Sequence, residues 1–141
     1  MNNKGFTLIE LLGVIVVLVV IMAIAVPSIT GINNNIKKNM LNKKIELIEE
    51  AALLYGQPLK NKIISPSNKN TYNSYKCESI KIEKLVEDGY LDKDDENCTS
   101  GNCIVDPSDT DNYLDDLEVI IYFKNKRIYA KVDVDDNLTC S

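Results

Sequence analysis

A long apolar stretch with one carboxylate near its start constrains this chain more than any other feature. From Phe6 to Val26 the only interruptions are Thr7, Glu10 and Gly13. As a helix this run is about 31 Å long, and the hydrocarbon layer of a bilayer is ~30 Å thick. An ionised side chain within such a span costs on the order of 2.5–3.5 kcal/mol and marks function by default. Glu10 therefore requires a partner.

The residues around it, Lys4-Gly5-Phe6-Thr7-Leu8-Ile9-Glu10-Leu11-Leu12, resemble the cleavage and methylation motif of type IV prepilins and pseudopilins. The resemblance covers residues 4–30. It implies a prepilin peptidase that cuts between Gly5 and Phe6 on the cytoplasmic side, followed by methylation of the new Phe6 amine. Glu10 stands where that family keeps its glutamate, and Pro27 matches the family's proline near the end of the membrane stretch. In the family, the glutamate's partner is the N-terminal amine of a neighbouring subunit. Glu10 and Pro27 are accordingly expected to serve assembly, and Lys4, Gly5 and Phe6 processing.

Elementary chemistry points the same way. Gly5 offers a protease no side chain and a permissive backbone. Cutting after it leaves an ammonium on Phe6 inside what becomes an apolar environment. An ammonium and a carboxylate there each carry a desolvation penalty of several kcal/mol, which only close pairing offsets. Two simpler readings compete. Ala23-Ile24-Ala25 has the A-x-A form of a signal-peptidase site, although Glu10 breaks the apolar core such a peptide needs. Alternatively the stretch is an ordinary single-pass anchor in which Glu10 has no special role.

The rest of the chain narrows the function by exclusion. With no histidine, histidine catalysis and histidine metal ligation are ruled out, and a net charge of −5 argues against general nucleic-acid binding by an acidic head. Cys77, Cys98, Cys103 and Cys140 all follow the apolar stretch, and an even count in an exported domain reads as two disulfides with three possible connectivities. Cys98-x4-Cys103 lacks the tight spacing of a zinc ribbon. The family resemblance implies a disulfide that ties down the C-terminal segment, a role open to Cys140. The acidic stretches Asp92–Asn97, Asp109–Asp111 and Asp133–Asn137 faintly suggest calcium, but none has the glycine and distal glutamate of an EF-hand loop. Asn97-Cys98-Thr99 and Asn137-Leu138-Thr139 fit the glycosylation sequon without further support. Neither a catalytic constellation nor a cofactor is expected.

Beyond Pro27, Ile29, Ile32, Ile36, Leu41, Ile45, Ile48, Ala52 and Tyr55 recur at three- and four-residue steps, predicting that the helix continues with one face on a globular head. Pro27, Gly31 and Asn33-Asn34-Asn35 weaken its middle, and Gly56 with Pro58 is expected to end it. Residues 57–76 read as an irregular loop, Ile80–Leu91 as a short helix closed by Gly89, and Asp92–Asp116 as an acidic loop. Alternation over Leu117–Phe123 and Ile128–Val134 predicts a hairpin turning at Asn125-Lys126. Two strands alone are marginal, so further strands or disulfides must support them.

The expected fold is α+β, type IV pilin-like: a long N-terminal helix, transmembrane in its first half, packed on a small antiparallel head. The expected organisation is a leader at 1–5, a membrane and filament-core helix at 6–27, its amphipathic continuation at 28–55 and the head at 56–141. The resemblance implies a structural subunit held in the cytoplasmic membrane by a single pass, then extracted into a helical filament at the cell surface. Its partners would be other copies or other pilins, membrane lipid, the prepilin peptidase, and an assembly platform protein with its ATPase. One alternative is a pseudopilin for type II secretion or competence DNA uptake. The other is a monomeric, membrane-anchored surface binding protein.

Overall fold

The computed structural model describes residues 7–141, and of residues 24–32 only the backbone. A single helix, α1 (Leu8–Ile63), opens the chain. It is followed by β1 (Thr71–Tyr72), β2 (Tyr75–Lys81), a short α2 (Ile82–Glu87), β3 (Glu118–Lys124) and β4 (Arg127–Val132). The chain divides into two compact units, Met1–Lys38 and Asn39–Ser141.

In the second unit the four strands form one antiparallel sheet in the order β1-β2-β3-β4. Its inner face meets the later turns of α1. Val119, Ile121, Ile128 and Val132 form a buried cluster with Ile48, Ala51, Ala52 and Ile63 of the helix, and Ile82 and Leu85 join it from α2. This is the α+β arrangement of a helix on a small antiparallel sheet that the sequence predicts. From Leu41 onward the predicted helical stripe is the one used, with Leu41, Ile45 and Tyr55 packed at its edge; Ile36, expected on it, is exposed, and the side chains of Ile29 and Ile32 lie outside the described residues.

The helix does not end at Tyr55. It runs through Gly56 and Pro58 to Ile63. Gly56 is buried because helix and sheet approach closely there: a Cβ on it would lie 2.8 Å from Cγ2 of Ile121 and 3.2 Å from Cγ2 of Ile128. Pro58 deprives the Leu54 carbonyl of its helical donor, at a cost of about 3 kcal/mol. Both side chains are exposed, so that turn faces water. Downstream, Ile63 is fully buried and Leu59 half-buried, and each such side chain contributes about 1.5–3 kcal/mol. Packing outweighs the break. Gly56→Val should therefore destabilise the head by about 2–3 kcal/mol through overpacking, even though it removes a helix-weakening glycine. A thermal melt of the full chain should shift down by roughly 10 °C or more.

Residues 71–81 also depart from expectation. The segment forms a hairpin, β1–β2, turning at Asn73-Ser74 with both residues at positive φ. The short helix begins at Ile82, not Ile80, and Gly89 (φ +76°) follows its end. The β3–β4 hairpin turns at Asn125-Lys126, again with both at positive φ.

The outer face of the sheet holds Tyr75 and Cys77 of β2, Ile120 and Tyr122 of β3, and Tyr129 of β4, as their register requires. Tyr122 lies 5.5 Å from Tyr129 and 5.1 Å from Tyr72, centroid to centroid. Burial, followed by neighbouring Tyr72, pushes its hydroxyl above the ordinary tyrosine value.

Cys77 is bonded to Cys140, and Cys98 to Cys103. Reciprocal hydrogen bonds between Thr71 and Ser141 (2.9 and 3.3 Å) hold the C-terminal segment beside β1. The sequence separations are 63 and 5 residues, and loop-closure entropy assigns about 4 kcal/mol to the first bond and about 2 to the second. Cys140→Ser should thus lower stability about twice as much as Cys98→Ser, measured by denaturant unfolding of the oxidised proteins. The Cys98–Cys103 loop is fixed to the start of β3 by Asp115, a buried carboxylate that accepts the backbone N–H groups of Cys103 (3.0 Å) and Ile104 (2.8 Å).

Candidate functional site

The candidate site lies at the start of α1, in the first unit. Lys4, Gly5 and Phe6 fall outside the described residues, as does the side chain of Pro27. Thr7 and Glu10 are described, and they face each other. Thr7 stands immediately before the first helical residue, where backbone N–H groups lack helical acceptors. The Glu10 carboxylate reaches back one turn: Oε2 accepts the Thr7 backbone N–H at 2.9 Å and the Thr7 hydroxyl at 2.8 Å. The Glu10 and Leu11 N–H groups in turn donate to the Thr7 carbonyl, at 3.1 and 3.3 Å.

This is half of a capping box, in which a glutamate three residues into the helix satisfies the N-cap residue's own N–H. Thr7-Leu8-Ile9-Glu10 has the sequence form of that motif, a signal that attention to the membrane charge alone passes over. Glu10 thus has a partner within its own chain. The bonds converge on Oε2, and among the described residues Oε1 accepts none.

Around Glu10 the helix is apolar on every side, and its large side chains remain uncovered. From Leu8 to Met22 they are 48–84 % exposed. Covering each contributes about 1.5–3 kcal/mol, so lipid or other protein must cover this surface. Glu10, Gly13, Val14, Val17 and Leu18 line a shallow groove along it, and Gly13 is its notch, where a Cβ would meet nothing within 4 Å. Among the described residues no helix is long and apolar enough to cross a membrane. The run read from the sequence, Phe6 to Val26, begins and ends on residues whose side chains lie outside that description.

The other sequence-predicted residues lie in the second unit, where Cys77, Cys98, Cys103 and Cys140 are all disulfide-bonded. Among the described residues no group of three or more His, Cys, Asp or Glu side chains is arranged to hold a metal ion. The acidic loops use their carboxylates locally. Asp95 accepts the N–H of Asn97, Asp106 that of Ser108, and Asp133 those of Asn137 and Leu138.

Comparison with known proteins bears on the same segment. Residues 1–26 match the family described as the prokaryotic N-terminal methylation motif. The chain is also 36% identical over 55 residues to a ComG operon protein 3 homolog of Bacillus licheniformis, an alignment covering 39% of this chain and 57% of the relative. The chain thus spans a little over half the length of that curated relative. No solved structure matches it. Residues 1–26 thus carry a prepilin-type N-terminal methylation motif, and the match to the ComG operon protein 3 homolog supports a likeness to type IV pilins and pseudopilins.

Proposed function

We propose that the protein is the structural subunit of a type IV pilus-like filament. In this reading it is cleaved between Gly5 and Phe6, methylated on the Phe6 amine, and held in the cytoplasmic membrane by one pass of its apolar helix. A platform protein and a cytoplasmic ATPase then extract it into a helical assembly of copies. The observation that carries the reading is the exposed apolar surface from Leu8 to Met22 directly following a prepilin motif. Such a surface is stable in lipid and equally stable against the same surface of other copies, so one helix serves both states. Glu10 is the register device. Its Oε1 meets the Phe6 ammonium of a neighbour while Oε2 keeps its cap.

Similarity to the ComG operon protein 3 homolog favours a second version of the same assembly, a short pseudopilus serving competence. Electron microscopy of cells producing the protein, with a deletion strain as control, separates the two. Long surface filaments lost on deletion support the pilus. Their absence, together with loss of DNA uptake on deletion, supports the pseudopilus. A protein that remains monomeric in the membrane under both assays contradicts either.

A further inference from the structure

The second unit carries its charge unevenly, and the sheet sets the direction. β3 runs about 20 Å from an acidic end to a basic one. At its start lies the loop 92–116, with Asp92, Asp95, Glu96, Asp109 and Asp111 exposed. At its other end the turn to β4 reads Lys124-Asn125-Lys126-Arg127, and Lys60 of α1 stands nearby with its ammonium 5.3 Å from the Phe123 ring. Between Tyr55 and Cys77 the chain carries no Asp or Glu at all.

The basic end is unusual in two ways. Lys124 and Arg127 are directly opposite each other across the hairpin, a like-charge pairing that destabilises a sheet. Ion pairs form elsewhere, Lys44 with Asp94, Lys62 with Glu78 and Lys81 with Asp116. Among the described residues, however, no carboxylate lies within ion-pair distance of Lys60, Lys124, Lys126 or Arg127. In a chain of net charge −5, this is a cluster of cations without a counter-charge among the described residues, Lys124 lying instead over the Tyr75 ring at 4.9 Å, and it is complementary to an external anion.

We propose that the hairpin tip docks on the acidic loop of a second copy of this chain, Lys124 and Arg127 meeting the turn that carries Asp109 and Asp111. That turn is closed by the Asn112 N–H donating to the Asp109 carbonyl at 2.9 Å. Asp109 and Asp111 are both exposed; the Asp109 carboxylate accepts only neutral local donors, the Asp111 N–H at 3.3 Å and the Asn112 side-chain N–H at 2.8 Å, whereas Asp94 is paired with the Lys44 ammonium. Because the two surfaces lie at opposite ends of one sheet, the contact is head-to-tail. A heterologous contact of this kind continues from copy to copy and yields an open filament unless its rotation closes a ring. The complementary ends steer encounter and fix register and direction, while the apolar helices supply the bulk of the cohesion. The proposal rests on the filament reading and adds the contact between heads.

The test places a photo-crosslinking amino acid at Asn125 of the full-length chain in producing cells, followed by peptide mapping of the products. A bond from residue 125 to residues 106–112 of another copy is expected. Lys124→Glu with Arg127→Glu should lower its yield about tenfold, as should Asp109→Lys with Asp111→Lys, and combining all four should restore it to within about twofold. Crosslinks that map elsewhere, an unchanged yield in either double variant, or no recovery in the combined one overturn the proposal. Copies that assemble normally in those cases leave the filament reading standing. If the tip instead captures an anionic polymer and no second copy, the partner named here is wrong. If copies crosslink at no position, the filament reading falls too.

Discussion

Replacing Glu10 by leucine is expected to leave synthesis, cleavage after Gly5 and membrane retention intact while reducing assembly at least a hundredfold. In the membrane the substitution removes a cost of about 2.5–3.5 kcal/mol at most and a helix cap worth about 1, so insertion does not suffer. In the proposed assembly it would leave a neighbour's ammonium buried without its counter-charge. Breaking a buried pair by removing one partner costs about 3–5 kcal/mol, and each 1.4 kcal/mol is tenfold in an equilibrium constant. The local bond to Thr7 makes a second variant necessary, because loss of the cap alone could be blamed. Glu10→Gln keeps an acceptor for the Thr7 N–H, at 2.9 Å in the wild type, but carries no charge. It should be as defective as leucine, while Thr7→Val, which removes the hydroxyl and keeps the charge, should assemble. Counting filaments, or crosslinked oligomers, per cell reads all three. Normal assembly by Glu10→Gln would assign the carboxylate to capping alone.

The other large effect concerns processing. Gly5→Val should abolish maturation for practical purposes, with cleavage slowed on the order of a hundredfold or more, the penalty for misplacing a reacting bond by about an ångström. A branched side chain beside the scissile bond fills space that glycine leaves to the protease, and it restricts the backbone. The precursor should accumulate in the membrane and keep its five leader residues, visible as slower migration on a gel. Processing at the wild-type rate would remove Gly5 from any part in the cut.

The sequence carried much of this because its strongest patterns coincide with its strongest energetics. The stripe through Ile45, Ile48 and Ala52 and the alternation at Val119 and Ile121 report burial directly, while the apolar run reports a surface left uncovered within the chain. The β1–β2 hairpin was hidden because its inner face carries Lys76 and Glu78 in place of apolar residues. Lys62 pairs with Glu78 at 2.5 Å and the Asn68 carbonyl receives Lys76, so polar contacts stand where a hydrophobic pattern would have signalled a strand. The helix end at Ile63 is hidden in the sequence for a related reason. Gly56 and Pro58 are local breakers, and only the packing of Ile63 on distant strands reveals that they are overridden. The cap at Thr7 and Glu10 was legible as T-L-I-E but was overshadowed by the membrane charge. The disulfide pairing had to wait for the fold, since only the sheet brings Cys77 and Cys140 together over 63 residues.

The central claim is that this chain is a prepilin-type precursor whose mature form begins within the motif. Intact-mass and N-terminal peptide spectrometry of the protein recovered from membranes tests it most directly. The expected result is a mature chain starting at Phe6, heavier by one methyl group on its amine. A chain starting at Val26, the product of an ordinary signal peptidase, or one still starting at Met1 in cells that possess the prepilin peptidase, would contradict it.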